Sequence, residues 1–225
     1  MALILHIDTA TVNAVVGISE NERVIDFLTN NNQKDHASFV QPAIKQLLQK
    51  NNISIQQLNA VSVTEGPGSY TGLRVGMASA KGLCYALNIP LLALSTLKVM
   101  ALSVIEHTTQ PELYLYCPMI DARRVEVFTG LYDNELNEIL PASSVILVAT
   151  YLNDILQKKK IIFLGNGAQK FINLSHHSNI IFSEEPISTS ALAAISTKKF
   201  NEKNFADLHR ADSIYIKPFF TTYKL

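Results

Sequence analysis

The segment GPGSYTGLR, residues 66–74, has the glycine content of a phosphate-binding loop. It lies between an apolar run and a helical pattern, and such turns can hold anions on the free amides of a helix N-terminus. The segment fits neither standard nucleotide loop, because Leu73 replaces the lysine of a Walker A loop and Gly72 comes one position too late for a dinucleotide loop. Two interpretations stay open: an anion-binding turn that uses Gly66 and Gly68, or a tight turn whose glycines permit close packing.

The helical pattern after this turn carries small residues on one face. Gly72, Gly76, Ala80 and Cys84 recur at every fourth position, although two glycines inside a helix cost about 1 kcal/mol each relative to alanine. A stable helix tolerates this cost where another backbone comes close. The face therefore packs either against the protein's own sheet or against a helix across a subunit interface.

Asp8 and Thr9 follow the first predicted strand, and Thr11 lies two residues further on. A carboxylate at the end of a strand, followed by hydroxyls, can position Mg²⁺ and phosphate. The same residues can instead form an Asx or ST turn that closes the first hairpin. The sequence favours this second interpretation.

The stretch Asp121-Ala122-Arg123-Arg124 lies between two predicted strands. Because arginine pairs with a carboxylate through two parallel hydrogen bonds, this turn is compatible with a binding role towards a partner. It is equally compatible with an Asp–Arg lock inside the turn, so both interpretations stay open.

The remaining reactive residues do not form a catalytic set. The six histidines show neither H-x-x-x-H nor H-E-x-x-H spacing, and the sequence has no G-x-S-x-G segment. Cys84 and Cys117 lie far apart and form no C-x-x-C pair. The sequence thus predicts no catalytic residue, no metal site and no disulfide framework.

Composition narrows the class of protein further. The 225 residues suffice for one large domain or two small lobes, and 19 basic residues balance 19 acidic ones. A net charge near zero offers no electrostatic basis for autonomous nucleic-acid binding. The N-terminus lacks a basic region and a cleavage site, and Asn88–Pro90 interrupts the uncharged stretch 82–97, so we expect a cytoplasmic protein without a membrane span.

The order of the predicted elements indicates an α/β protein. The first half, residues 1–106, reads βββ-α-β-α-β-α, which describes a mixed sheet that begins antiparallel and becomes parallel through crossover helices. Its predicted elements are strands at Leu3–Ile7, Asn13–Ile18, Arg23–Leu28, Ala60–Thr64 and Pro90–Leu94, and helices at Phe39–Leu48, Tyr70–Leu87 and Ser95–Glu106.

A linker around residues 107–111 separates this first lobe from a smaller second lobe, residues 107–225. The second lobe repeats the scheme with shorter helices. Its predicted elements are strands at Leu113–Met119, Arg124–Leu131, Asn137–Leu140 and Ile161–Leu164, and helices at Val148–Leu156 and Ser190–Phe200.

Several motifs occur in a fixed order along essentially the whole chain. They are ILHIDTATVNAVVGI, HASFVQPAIKQLL, GPGSYTGLRVGMASAKGL, DARRVEVF, LGNGA and the C-terminal YIKP. Together they resemble the TsaB family, formerly called YeaZ, of bacterial tRNA threonylcarbamoyladenosine biosynthesis proteins. GPGSYTGLR followed by G-x-A-x-A-K-G-L is the most specific of them, whereas the family's C-terminal Y-L-R reads Tyr215-Ile216-Lys217 here.

The resemblance implies an α/β fold of the actin-like ATPase/sugar-kinase (ASKHA) class, with two ribonuclease-H-like lobes whose mixed sheets are flanked by helices. It implies a non-catalytic partner of TsaD in forming N6-threonylcarbamoyladenosine at position 37 of tRNAs that read codons starting with A. TsaD transfers the threonylcarbamoyl group with a metal-binding H-x-x-x-H motif, which this sequence lacks. A small-molecule kinase of the same fold is the alternative. The name peptidase M22, also given to the family, has no support in the residues.

The resemblance also implies partners and site residues. The partners are TsaD, the ATPase TsaE that joins the pair, and a second copy when the chain is alone. tRNA is contacted only through the complex, and the chain needs no cofactor of its own, although the wider pathway uses ATP. The nucleotide cleft of active relatives corresponds to Asp8, Thr9, Gly66, Gly68, Gly165 and Gly167, of which the last two lie in a loosely matching GNGA turn.

The resemblance places the interface with TsaD, or with a second copy, on the helices of the first lobe. The implied interface residues are His36, Phe39, Val40, Ala43, Ile44, Leu47, Tyr70, Gly72, Leu73, Arg74, Gly76, Met77 and Ala80. Close approach of two helices at Gly72, Gly76 and Ala80 would explain the small-residue face. Which of these side chains face the partner rather than the protein's own sheet stays open.

Overall fold

The computed structural model describes residues 1–216, which form two five-stranded mixed sheets with helices on their faces. The first sheet contains β1 (Leu3–Asp8), β2 (Ala14–Glu20), β3 (Arg23–Asn30), β4 (Ala60–Gly66) and β5 (Leu91–Ser95). The second sheet contains β6 (Tyr114–Asp121), β7 (Glu126–Tyr132), β8 (Glu138–Ile146), β9 (Lys160–Leu164) and β10 (Ile180–Ser183). The helices are α1 (His36–Lys50), α2 (Tyr70–Leu87), α3 (Thr96–Ile105), α4 (Asn153–Leu156), α5 (Ala168–Ile172) and α6 (Thr189–Asn201).

The two sheets have the same topology. The strand order is β3-β2-β1-β4-β5 in the first sheet and β8-β7-β6-β9-β10 in the second. In each, the first three strands are antiparallel neighbours and the last two are added in parallel. The predicted mixed sheets are therefore confirmed in both lobes, and each lobe has the connectivity expected of a ribonuclease-H-like unit.

Both faces of each sheet are covered, and α3 is shared between the lobes. Helices α1 and α2 bury one face of the first sheet, and α3 and α6 bury the other. The opposite side of α3 packs on the second sheet, whose remaining face is covered by α4 and α5. The shared helix is buried along most of its length, which positions the two lobes against each other.

Helix α6 returns the chain to the first lobe. It contacts β1, β3 and β5 as well as α3. At its N-terminus, Ser188 N donates to Ser103 Oγ at 2.9 Å, and Ser188 Oγ accepts from Ala191 N at 3.1 Å as an N-cap. The division of the chain into 1–106 and 107–225 stays a prediction, and residues 189–201 pack on the sheet of the first lobe.

A buried histidine ties α6 to the first sheet. His6 on β1 lies between Ser62 Oγ at 2.7 Å and Ser19 Oγ at 2.8 Å, and Ser196 Oγ of α6 lies 3.3 Å from its Nδ1. Complete burial lowers the pKa of His6 to about 3, so the ring is neutral at physiological pH. His6 is thus a structural residue with all its ring nitrogens paired.

The observed elements depart from the predicted ones mainly in the second lobe. Strand β8 extends to Ile146, well beyond the predicted Asn137–Leu140, whereas the predicted helix over Val148–Leu156 shrinks to the four residues of α4. Strand β10 and helix α5 were not predicted. Among residues 1–216, none of the helices combines the length and hydropathy needed to cross a bilayer.

Candidate functional site

The glycine turn between β4 and α2 is enclosed by the protein's own backbone. Ser69 N donates to Ala10 O at 2.7 Å, and a Cβ added to Gly68 would overlap that same carbonyl oxygen. Gly66 has φ +122°, and a Cβ there would lie 2.6 Å from Ile214 O. Because neighbouring backbone lies close to both glycines, the geometry supports the tight-turn interpretation.

The small-residue face of α2 packs against the end of β1. A Cβ on Gly72 would overlap Thr9 O, and one on Gly76 would overlap Thr9 Oγ1. Thr9 Oγ1 in turn donates to Gly72 O at 2.7 Å. The small-residue face of α2 therefore packs against the protein's own sheet, which is one of the two alternatives left open by the sequence.

Most of the implied interface residues are interior in this conformation. His36, Val40, Ala43, Ile44 and Leu47 of α1 are buried, as are Gly72, Leu73, Gly76, Met77 and Ala80 of α2. This corrects the expectation that two chains approach at Gly72, Gly76 and Ala80, because Thr9 at the end of β1 occupies the space beside the two glycines and Ala80 is buried. Phe39, Tyr70 and Arg74 are the members of the set that reach the surface.

The opposite face of α2 is also lined with small residues and faces solvent. Arg74, Ala78, Gly82 and Ala86 recur at every fourth position and are exposed, and a Cβ on Gly82 would have no neighbour within 4 Å. The period of four in the sequence marks this stripe as clearly as the inner one. Sequence reasoning missed it by considering only the first stripe.

Helix α1 packs beside α2 and contributes its own exposed small and polar residues. We define the α1–α2 surface as the outward-facing residues Ala37, Ser38, Gln41, Pro42 and Lys45 of α1 with Thr71, Arg74, Ala78, Gly82, Tyr85 and Ala86 of α2. Pro42 is solvent-exposed on the second turn of α1, which begins at His36. Apart from Gln41, Lys45, Arg74 and Tyr85, the side chains of this surface are short, so another helix can approach at short range.

At the N-terminal end of the α1–α2 surface, a cation packs over the ring of Tyr70, beside a contacting pair of tyrosine rings. The guanidinium carbon of Arg74 lies 4.0 Å from the ring centroid of Tyr70 and 5.9 Å from that of Tyr215, and Arg74 Nε donates to Tyr215 OH at 3.2 Å. The two rings lie 5.0 Å apart. The C-terminal segment therefore docks on the start of α2, while Lys217 and Pro218 of the C-terminal motif lie outside the described residues.

Asp8 forms the Asx turn that its sequence favours. Its Oδ1 accepts from Ala10 N at 3.0 Å and from Thr64 Oγ1 at 2.7 Å, whereas Oδ2 is buried without a hydrogen-bond partner among residues 1–216. Burial raises the pKa of the Asp8 carboxyl. Residues 1–216 contain no group of three His, Cys, Asp or Glu side chains placed to hold a metal ion.

The second glycine turn, which follows β9, is tied to the end of β6. Gly167 N donates to Met119 O at 2.9 Å, and Asn166 Oδ1 accepts from Asp121 N at 3.0 Å. Gly165 has φ +88°, where a side chain would strain the backbone. This turn lines a cavity of about 330 Å³ between the lobes, with Thr11, Asn13, Gln169 and Glu184 among the polar residues around it. Of the six predicted nucleotide-cleft residues, only Gly165 lines this cavity.

Asp121 pairs with a lysine rather than with the arginines beside it. Its Oδ1 accepts from Lys170 Nζ at 2.7 Å and from Arg123 N at 2.6 Å. Partial burial opposes ionisation, but these hydrogen bonds and the positive charges of Lys170 and Arg123 leave its pKa lowered. Within the turn, Asp121 therefore binds the backbone amide of Arg123 and not an arginine side chain. The side chains of Arg123 and Arg124 are exposed.

The repeated sheet topology, with α3 between the lobes, defines an ASKHA-fold protein. Two solved structures from Pseudomonas aeruginosa share this fold over 96% of the present chain and all of theirs. They are YeaZ, with a TM-score of 0.78 and 22% identity, and a protein described as similar to peptidase YEAZ, with a TM-score of 0.84 and 20% identity.

Sequence comparison narrows the class to one family. A family model described as TsaD, tRNA N6-adenosine threonylcarbamoyltransferase, matches residues 27–217. The tRNA threonylcarbamoyladenosine biosynthesis protein TsaB of Bacillus subtilis is 34% identical over 167 residues, which cover 72% of this chain and 70% of that protein. The TsaB protein of Escherichia coli is 24% identical over 95% of this chain and 94% of that protein. The chain belongs to the TsaB family.

Proposed function

We propose that this chain is an accessory subunit in the formation of threonylcarbamoyladenosine in tRNA, and that it acts by binding TsaD through the α1–α2 surface. The relatives that bear the name of this pathway support the process. The main support is structural. The outer stripe of α2, formed by Ala78, Gly82 and Ala86, consists of small, exposed residues with open space beside Gly82. The inner stripe is covered by the end of β1. A helix of a partner can therefore approach α2 where side chains do not intervene.

The subunit would be non-catalytic and would act by stabilising one conformation of TsaD. A binding partner shifts a conformational equilibrium by its difference in affinity for the two states. In this proposal the chain needs no cofactor, the ATPase TsaE joins the pair, tRNA is contacted only through the complex, and the protein works in the cytoplasm. Without TsaD, a second copy would cover the same α1–α2 surface.

The alternative of a small-molecule kinase requires an open phosphate loop. In this chain Ala10 O and Ile214 O occupy the space beside Gly68 and Gly66, and the amide of Ser69 is already donated to Ala10. The family membership also does not favour a kinase. We therefore prefer the accessory subunit.

Reconstitution of the tRNA modification with TsaD and TsaE of the same organism and a threonylcarbamoyl donor tests this proposal. We expect modified tRNA only when both TsaD and this chain are present. Gly82→Arg should abolish binding to TsaD because it fills the outer stripe, and it should fold normally because no atom lies within 4 Å of the added Cβ. Gly82→Ala is the matched control and should retain binding. Product formation by the chain alone, or full TsaD activity without it, would refute the proposal.

A further inference from the structure

A second concave surface lies next to the Arg74–tyrosine cluster. It has a volume of about 880 Å³ and is bounded by the turn before α2, the tip of the β6–β7 hairpin and the segment 214–216. We call it the hairpin groove. Its size is that of a site for a peptide side chain or a small molecule.

The groove presents exposed positive charge. Arg123 and Arg124 line it and are exposed, and none of the salt bridges among residues 1–216 involves either of them or Arg74. The carboxylate of the lining residue Glu126 accepts a hydrogen bond from Ser144 Oγ. Exposed guanidinium groups that form no salt bridge in the described part of the chain favour a ligand that carries carboxylates or phosphates.

The groove also presents large apolar side chains. Val125, Ile146 and Ile214 line it and are 58%, 65% and 47% exposed. Exposed aliphatic groups around one concavity indicate a protein contact, because the phosphates of a nucleic acid would leave them uncovered. The zero net charge of the chain also disfavours nucleic acid as the occupant.

The groove is continuous with the α1–α2 surface. Tyr70 lines the groove, and its ring stacks on Arg74, which is also the first residue of the outer stripe of α2. A partner bound to the outer face of α2 can therefore contact the groove as well, because the two surfaces adjoin at Tyr70 and Arg74.

We propose that the hairpin groove receives a segment of TsaD in which an apolar side chain is flanked by carboxylates. The apolar side chain packs on Val125 and Ile146, and the carboxylates pair with Arg123 and Arg124. This inference rests on the proposed function, since it names a second contact of the same partner. The α1–α2 surface alone would bind the partner through close helix packing, and the charged contacts in the groove would also fix the partner's orientation.

Calorimetric titration with purified TsaD of the same organism tests the charged half of this contact. Arg123→Glu/Arg124→Glu should raise the Kd about tenfold or more and weaken its salt dependence. Lys158→Glu/Lys159→Glu makes the same charge change at exposed positions near the opposite end of the second sheet and should leave the Kd within about twofold, as expected of charges outside an interface. Circular dichroism and Tm verify folding, and Arg123→Gln/Arg124→Gln replaces the double reversal if that variant unfolds.

Two substitutions on strand β8 test the apolar half of the proposed contact with TsaD. Ile146→Asp should weaken binding about tenfold, whereas Ile139→Asp, on the same strand β8 but away from the groove, should not. A photoreactive phenylalanine analogue at Val125 should crosslink to a TsaD segment with Asp or Glu beside an apolar residue.

The outcomes separate this inference from the proposed function. If Gly82→Arg abolishes binding while the groove variants bind like wild type, the groove proposal is wrong and the proposed function stands. If the wild-type chain does not bind TsaD, both fail. Crosslinks from Val125 to tRNA or to a second copy of this chain, rather than to TsaD, also overturn the groove proposal.

Discussion

The two lobes share one sheet topology but differ in the helices attached to it. In the first lobe, the helices α1 and α2 on its outer face have 15 and 18 residues, whereas the corresponding helices of the second lobe, α4 and α5, have four and five. A helix of one turn covers its sheet but leaves no extended outer face. The two sheets thus give both lobes the same framework, while the long helices give only the first lobe an extended exposed helical surface.

The two lobes also differ at the aspartates that end β1 and β6. Asp8 ends β1 and is fully buried, with a raised pKa caused by burial. Asp121 ends β6 and is partly exposed, with a lowered pKa because hydrogen bonds from Lys170 and the Arg123 amide outweigh its burial. Equivalent positions thus have opposite environments, since the first lobe closes over its strand end and the second lobe leaves it open.

The largest expected effect of this difference is at the two glycine turns. Gly68→Ala in the first turn should lower the free energy of unfolding by about 3 kcal/mol, because its Cβ would overlap the fixed carbonyl oxygen of Ala10. Gly167→Ala in the second lobe meets Met119 and Ile120 at 3.0 Å and should cost about 1 kcal/mol. Urea denaturation measures both. Equal losses would show that the two turns are packed alike.

The two aspartates give the second prediction, a pH dependence of opposite sign. Because the folded pKa of Asp8 is raised, its contribution to stability is lost as pH rises above the unfolded value near 3.8. The folded pKa of Asp121 is lowered, so its contribution is present above that value and is lost as pH falls. Relative to wild type, Asp8→Asn should therefore gain stability from pH 3.5 to pH 7, and Asp121→Asn should lose it.

The sizes of these two changes also differ. We expect a change of about 1 kcal/mol for Asp8→Asn, because the ionised group is buried with one oxygen unpaired. The exposed pair of Asp121 with Lys170 should change by about 0.5 kcal/mol and be sensitive to salt. Thermal unfolding of the variants across this pH range gives both values. Parallel pH profiles for Asp8→Asn and wild type would contradict the raised pKa.

The sequence could show which residues share a face of α2, but not what covers each face. A spacing of four groups Gly72 with Gly76, and it groups Ala78 with Gly82 equally well. The rotation of the helix decides which stripe meets β1, and it follows from the burial of Leu73 and Met77 beside the inner stripe. The bounds of α2 were predicted correctly, because Ser69 caps its start and Asn88, in a left-handed conformation, ends it.

The second lobe was less predictable because its elements are short and partly exposed. Strand β8 lies at the edge of its sheet and contains Pro141, so the apolar alternation that marks a half-buried strand is weak. Strand β10 has four residues, none of them fully buried. The closure of the first glycine turn was equally invisible, because Ala10 and Ile214 come from distant parts of the chain.

A further effect is expected within α2 itself, where the two small-residue stripes should respond with opposite sign. Gly82→Ala adds a methyl group in open space and should raise the free energy of unfolding by about 0.5 to 1 kcal/mol, since alanine favours the helix over glycine. Gly76→Ala gains the same helix propensity but would overlap Thr9 Oγ1, so it should destabilise the protein. Urea midpoints at an unchanged m-value measure the difference. If both variants are stabilised, β1 does not pack on the inner stripe, and that stripe would again be available to a partner.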